Sequence, residues 1–231
     1  MRHIFILLVF IALYSYGSPI KSMIGAERSG YLPNGVKPFP EGVVPVEYLE
    51  STGGQYIDIG IVLSSGSSIE WIVQVVRYND GCMGLYETST GGRMCYINFY
   101  ANKLYPRYSS FAPSSSQLNP EDGWITFGKN HILFSNGSIV INDTIAYSGV
   151  NTSGLDSMTK TMILFAYRRV STITGFSQVR VYAFRIKTGD TNEIDMCPVR
   201  VGDVGAMYDT VSEELFYNQG SGEFLIGPDK E

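Results

Sequence analysis

From Val46 to Pro228, short apolar runs alternate with turn residues, and no segment sustains a helical period. In "IEWIVQVV", an extended backbone sends Ile69, Trp71, Val73 and Val75 to one side and Glu70, Ile72, Gln74 and Val76 to the other. In "RMCYINFYA", Cys95, Ile97, Phe99 and Ala101 make an apolar face, while Met94, Tyr96, Asn98 and Tyr100 make an amphipathic one. Asn136-Gly137, between "HILF" and "SIVI", is a type I′ hairpin signal, because both central residues must accept positive φ. Asn142-Asp143 allows a second turn before "TIAY", which predicts a three-stranded meander from His131 to Tyr147. "QVRVYAFRI" is apolar on both faces, Val179, Val181 and Ala183 against Tyr182, Phe184 and Ile186. A strand of that kind wants cover on both sides, and the preceding leader is the segment available to supply it. The pattern predicts an all-β chain built as a two-sheet antiparallel β-sandwich.

Composition narrows the function classes. The 231 residues suffice for one large β domain or two small ones, and a single pattern without a second composition shift favours one. Hydrophobic residues at 44% and charged residues at 17% are an ordinary globular balance. The net charge of −5 and the absence of any Lys/Arg cluster exclude a nucleic-acid partner. The 16 Tyr, 12 Phe and 25 Gly favour strands and tight turns over helices.

The first residues read as an export signal. Arg2 and His3 precede an uninterrupted apolar run from Ile4 to Ala12, too short for a membrane span. Ser15 and Gly17 are small residues two apart, which places cleavage after Gly17 and makes 1–17 a signal peptide. A buried first strand or an uncleaved anchor is the alternative. No cysteine is near enough to carry a bacterial lipid anchor. The mature protein is therefore expected to be secreted or periplasmic, without a membrane span. Residues 18–45, with Pro19, Pro33, Pro38 and Pro40, read as an extended leader, and 46–229 as the folded domain.

Cys82, Cys95 and Cys197 are odd in number, and their spacing does not resemble a zinc site. Parity puts Cys95 on the core side and Cys82 with the opposite set, and the connecting turn falls near "TSTGG". No Cys82–Cys95 bridge is expected, since a disulfide needs converging Cβ vectors.

"VEYLESTGGQYIDIGI", from Val46 to Ile61, resembles the opening of a concanavalin A-like, laminin-G-like jelly-roll domain of secreted and phage-encoded proteins of gut bacteria. Its usual Leu-Pro-x-Gly-Tyr leader is present as Leu32-Pro33-Asn34-Gly35, with Val36 in place of the tyrosine, and Ile59 stands where a threonine is usual. Pro198-Val199-Arg200, Met207-Tyr208-Asp209 and the run from Asn218 to Phe224 are similar to the closing segments of that family. The resemblance spans about Tyr31 to Asp229 and implies a jelly roll. That scaffold hosts lectins, enzymes and spacers alike.

Glycosidases on such sandwiches carry Glu-x-Asp-x-Glu or Glu-x-Asp-x-x-Glu on one strand, and "TNEIDMCPVR" supplies Glu193 and Asp195. Alternate residues share a strand face, as paired carboxylates require. The next positions for the acid/base hold Cys197 and Pro198, so the motif is truncated, and Pro198 is expected to interrupt the ladder. No nucleophile elbow and no phosphate-cradling loop are present. The expectation is a protein without catalytic residues.

The residues suited to a shallow glycan site are Glu70, Gln74, Tyr96, Asn98 and Tyr100, off the core face by parity. Tyr86 joins them from the neighbouring strand, and Arg93 and Arg107 from strand ends. Tyr96 and Tyr100 are the stacking candidates, Gln74 and Asn98 the hydroxyl partners. A solvated sheet face whose tyrosines serve β-propensity alone is the plainer reading of the same residues. Asp58, Asp80 and Asp209 could contribute to a calcium site, but no loop has dense ligand spacing, and no cofactor is assigned. Sequons occur at Asn136, Asn142 and Asn151. The leading expectation is a secreted, non-catalytic carbohydrate-binding or adhesive module with a glycan or cell-surface polysaccharide as partner. The alternatives are a structural module of an envelope or phage-derived assembly, and a divergent glycoside hydrolase.

Overall fold

Strand β4 (Ser67–Arg77) realises the alternation read from its sequence, with Ile69, Trp71, Val73 and Val75 buried and Glu70, Ile72 and Gln74 half-buried on the reverse side. The computed structural model describes residues 39–77, 81–88, 92–100, 103–109 and 125–230. The export signal 1–17, the leader through residue 38, Asp80 and Ala101 lie outside them. β4 runs between β8 (Asn130–Ser135) and β14 (Gln178–Thr188) in an 11-stranded sheet. Beyond β8 come β9 (Ser138–Ile141) and β10 (Thr144–Tyr147). Beyond β14 come β15 (Thr191–Val201), β16 (Val204–Asp209) and β17 (Glu214–Tyr217). β1 (Val43–Pro45) pairs with β15, and β2 (Leu49–Glu50) pairs with both β14 and β18 (Leu225–Ile226).

The second sheet has five strands in the order β13 (Thr172–Thr174), β12 (Tyr167–Arg169), β5 (Gly81–Thr88), β6 (Arg93–Tyr100), β7 (Lys103–Tyr108). A short separate pair joins β3 (Ile57–Asp58) to β11 (Ile163–Leu164). Among the described residues the pairings are antiparallel, except that β12 runs parallel to β5. The protein is an all-β sandwich. Ile69, Trp71, Val73, Phe184 and Ile186 of the large sheet share one apolar cluster with Met83, Leu85, Cys95, Ile97, Phe99 and Tyr108 of the small one. Trp71 meets Phe134 edge-on at 5.0 Å between ring centroids, and Tyr108 packs on Phe134 from the other sheet at 5.1 Å. Burial of apolar side chains of this size contributes roughly 2–3 kcal/mol each.

The meander from His131 to Tyr147 is present. Asn136 and Gly137 turn with φ of 48° and 69°, and Asn142 and Asp143 with φ of 46° and 66°. By contrast, "QVRVYAFRI" does not use two apolar faces. Opposite β4, Val181 pairs with Val73 and Ala183 with the adjacent Ile72, so β14 carries one extra residue at Tyr182. This bulge shifts the parity, and Val179, Val181, Phe184 and Ile186 all reach the core. Tyr182 then lies across Tyr48, with ring centroids 5.5 Å apart, so no leader is needed as a second cover.

Pro198 does not interrupt β15 either. The strand pairs with β14 as far as Met196 and with β1 from Val199, while Pro198 stays in register with Met207 of β16. Proline is tolerated because the neighbour on its N–H side changes at that point. Sheet structure therefore begins at Val43, three residues inside the segment read as leader.

The segments 51–56 and 218–223, near the two ends of the domain, interlock. Gln55 Oε1 accepts from Ser51 Oγ (3.0 Å) and from the Thr52 and Gly54 amides (2.9 and 3.2 Å), and Gln55 Nε2 donates to Glu223 O (3.0 Å). Asn218 Oδ1 accepts from the Tyr56 amide (3.1 Å), and the Ser221 amide donates to Gly54 O (2.9 Å). A bridge between Val46 and Asp229 then closes the domain's ends together, and Arg200 clamps Asp229 through both of its oxygens at 2.7 Å. Register also separates the cysteines: Cys82 lies opposite Asn98, and Cys95 opposite Leu85. Cys95 faces the core, where burial pushes its thiol pKa up.

Candidate functional site

The outer face of the small sheet is assembled by register. Tyr167 of β12 lies opposite Gly84 of β5, Gly84 opposite Tyr96 of β6, and Tyr96 opposite Arg107 of β7. One row of side chains thus crosses the sheet at right angles to its strands. Neighbouring rows add Arg169 and Tyr86 on one side, and Asn98, Tyr105, Tyr100 and Lys103 on the other. The Tyr96 ring lies 5.5 Å from that of Tyr167 and 6.1 Å from that of Tyr86. Tyr100 and Tyr105 form a second pair at 6.4 Å.

Gly84 is required beneath this cluster. It has φ of 130°, and a Cβ there would lie 2.4 Å from Cys95 O and 2.8 Å from Tyr96 Cβ. Burial raises the Tyr96 phenol pKa, against the lowering effect of Arg107, which hydrogen-bonds to it. Burial likewise raises that of Tyr167. Both phenols are therefore neutral at physiological pH, each presenting a ring and a hydroxyl.

β12 owes its place to unusual backbone. Phe165 before it and Val170 after it have φ of 67° and 57°, a region that bulky and β-branched residues rarely enter. Such conformations cost about 1–3 kcal/mol each and are held only by surrounding structure. Here the Phe165 ring is pinned against Phe224 at 4.5 Å, and the Val170 amide donates to Tyr86 O at 2.7 Å. The result is a three-residue strand that delivers Tyr167 and Arg169 to the tyrosine face. Neither residue stands out in the sequence. The alternation in "YRR" is the only local signal, and nothing in it specifies a parallel pairing.

Of the residues expected to form a site, Tyr86, Tyr96, Asn98, Tyr100 and Arg107 are brought together on this face. Asn98 Oδ1 is buried without a hydrogen-bond partner, so its amide must turn before that oxygen can meet a ligand. Gln74 is not part of the group. It lies off the core side of β4 in the other sheet, where it accepts from Tyr182 Oη (2.8 Å) and donates to Phe127 O (3.0 Å). Arg93 is also elsewhere. It shares the parity of core-facing Cys95 and reaches Ser157 O (3.4 Å) and Glu87 (3.8 Å) at the sheet's end. Parity sorted inward from outward correctly for Gln74, but it carries no information about which sheet a strand joins.

The outer face of the large sheet is charge-paired. Asp143 approaches His131 at 3.7 Å, His131 bonds Glu70 at 2.9 Å, Glu70 bonds Arg185 at 2.7 Å, and Arg185 grips both oxygens of Asp195 at 3.1 and 3.0 Å. The bond to Glu70 raises the His131 pKa. Asp195 is thus held in a fork, and Glu193 is the exposed extra residue of a bulge between the Ile194 and Asn192 pairings. The pair does not form a facing set of carboxylates.

Asp58 is bonded to Arg168 and to the Gly60 amide, and Asp209 accepts from the amides of Asp195, Val211 and Ser212. Both act as turn and pairing residues. Among the described residues, no group of three or more His, Cys, Asp or Glu is placed to hold a metal ion. No helix among them is long and apolar enough to cross a membrane.

No family model, curated protein or solved structure matches the chain. A functional reading rests on the geometry of its own faces.

Proposed function

We propose that this protein is a secreted, non-catalytic glycan-binding module on a concanavalin A-like jelly roll, and that the outer face of its five-stranded sheet is the binding surface. The observation that carries this reading is the row Tyr167–Gly84–Tyr96–Arg107, with tyrosines packed on either side of it. Tyrosine rings offer flat apolar faces to the C–H groups of a pyranose, and their hydroxyls and the guanidinium offer polar edges. The large sheet supports the choice by contrast, since its outward charges are engaged with one another. Hydrolysis is not expected, because Glu193 and Asp195 lack the facing geometry that two-carboxylate chemistry needs.

A glycan array probed with the full chain tests the reading. Tyr96→Ala and Tyr100→Ala should each weaken binding by about 1 kcal/mol or more while the domain stays folded. Glu193→Gln should change nothing. Cleavage of a polysaccharide that disappears in Glu193→Gln would restore the hydrolase alternative. A folded domain silent across a broad panel would favour a structural module.

A further inference from the structure

Tyr96 and Tyr100 stand four residues apart on β6, so both side chains leave the same face of the strand. Each makes ring contacts with neighbouring strands. Tyr96 meets Tyr86 of β5 at 6.1 Å and Tyr167 of β12 at 5.5 Å between centroids. Tyr96 and Tyr167 have a whole strand between them, and they touch because Gly84, which separates them in the row, carries no side chain. Tyr100 meets Tyr105 of β7 at 6.4 Å. Register sets the order of these rings along the sheet. Tyr86 lies level with Met94, Tyr167 with Tyr96, and Tyr105 with Asn98, and Tyr100 comes last. The tyrosines therefore form a stripe that follows β6 obliquely, from the β5 side at one end to the β7 side at the other. From the level of Met94 to Tyr100 is six residues of β6, about 20 Å at ordinary strand rise.

We infer that the tyrosine face holds an internal stretch of a linear, unbranched polysaccharide laid along β6, and does not select a terminal sugar. This inference rests on the glycan-binding reading above and names the form of its ligand. A site for one sugar unit has to surround that unit with walls. The outer face of a sheet touches each unit from one side, and a single ring contributes only a small part of a useful affinity. Affinity on such a face comes from the number of units stacked at once. The stripe is longer than any one pyranose, and its rings fall into two groups, Tyr86, Tyr96 and Tyr167 at one end and Tyr105 and Tyr100 at the other. Tyr100 is half-exposed and offers the far platform. A chain passing from one group to the other crosses Asn98, whose Oδ1 has no hydrogen-bond partner. Once turned, that amide meets the hydroxyls of the chain midway along the stripe. A side branch would lift units off the rings, which is why the chain is unbranched.

The test titrates the full chain with linear oligosaccharides of one to six units cut from β-1,4-glucan, β-1,4-mannan, β-1,4-xylan and β-1,3-glucan. In at least one series the monosaccharide should give no measurable binding, and affinity should rise about fivefold with each added unit until the stripe is filled. In that series Tyr96→Ala should weaken every binding length by about fivefold or more. Tyr100→Ala should leave the shortest binding oligomer unchanged, because the three-ring group seats it, and should weaken the hexamer by about fivefold. Unchanged thermal unfolding of Tyr100→Ala, at a half-exposed position, shows that the loss is one of contact. A monosaccharide that binds as tightly as its hexamer overturns the inference and leaves the glycan reading standing. An equal effect of Tyr100→Ala at every length does the same. Silence across all four series and their parent polymers, with the domain folded, overturns both.

Discussion

Gly220 has room for a hydrogen and little else. A Cβ at this position would lie 2.1 Å from Gly54 O and 3.1 Å from the Tyr56 ring. The contact joins the opening and closing segments of the domain where Gln55 and Asn218 also reach across. Gly220→Ala should therefore destabilise the protein by about 2–4 kcal/mol through forced separation of the two loops. Urea unfolding measures it, and an unchanged midpoint would show that the loops do not interlock. His131 gives a second expectation. Its pKa is raised chiefly by the bond to Glu70, helped by the charges of Glu70 and Asp143. Folded His131 holds its proton more tightly than unfolded histidine, so its contribution is full below the ordinary histidine pKa and fades as pH rises through the folded value. Burial opposes ionisation of Glu70, but His131 and Arg185 outweigh it and lower its pKa, so the Glu70 contribution is lost as pH falls through that lowered value. Stability should peak at mildly acidic pH and decline towards pH 8. Thermal unfolding of His131→Gln across pH 5.5–8 should lack that alkaline decline.

At the scale of elements, β14 makes the sharpest test. Deleting Tyr182 removes the bulge but leaves a regular alternation in which Val179, Val181, Phe184 and Ile186 still face the core. That deletion should fold, with loss of the Tyr182 contacts to Tyr48, Gln74, Lys129 and Arg180. Deleting Arg185 instead turns Ile186 outward and should abolish folding, as read by circular dichroism. The same strand shows what local pattern leaves out. Strict alternation across "QVRVYAFRI" produced two apolar faces, because a bulge is set by the partner strand and not by the residues that form it. The β8–β9–β10 meander was legible because Asn-Gly and Asn-Asp turns are dictated within a few residues. β12 was not, because its place depends on Phe165 and Val170 adopting φ values that tertiary packing alone sustains. With β12 hidden, Tyr167 and Arg169 were hidden too. Gln74 was misplaced for a related reason, since burial parity is local and sheet membership is not.

For the molecule as a whole, the two sheets differ in how their outer surfaces are finished. One carries reciprocal ion pairs and the other a cluster of tyrosine rings. The domain's entry and exit both belong to the first, where Val46 bridges Asp229. A tether at either end therefore grips the large sheet, whereas a ligand seated on Tyr96 pulls on the small one. Tension between them crosses the layer of Trp71, Ile97, Phe99 and Phe184, whose contacts are short-ranged and yield together over a small displacement. Pulling on both ends instead peels the Val46–Asp229 bridge and then the neighbouring strands one bond after another. The sandwich should be brittle along the first axis and compliant along the second, a directional difference that single-molecule stretching from Tyr100→Cys and from the termini would resolve.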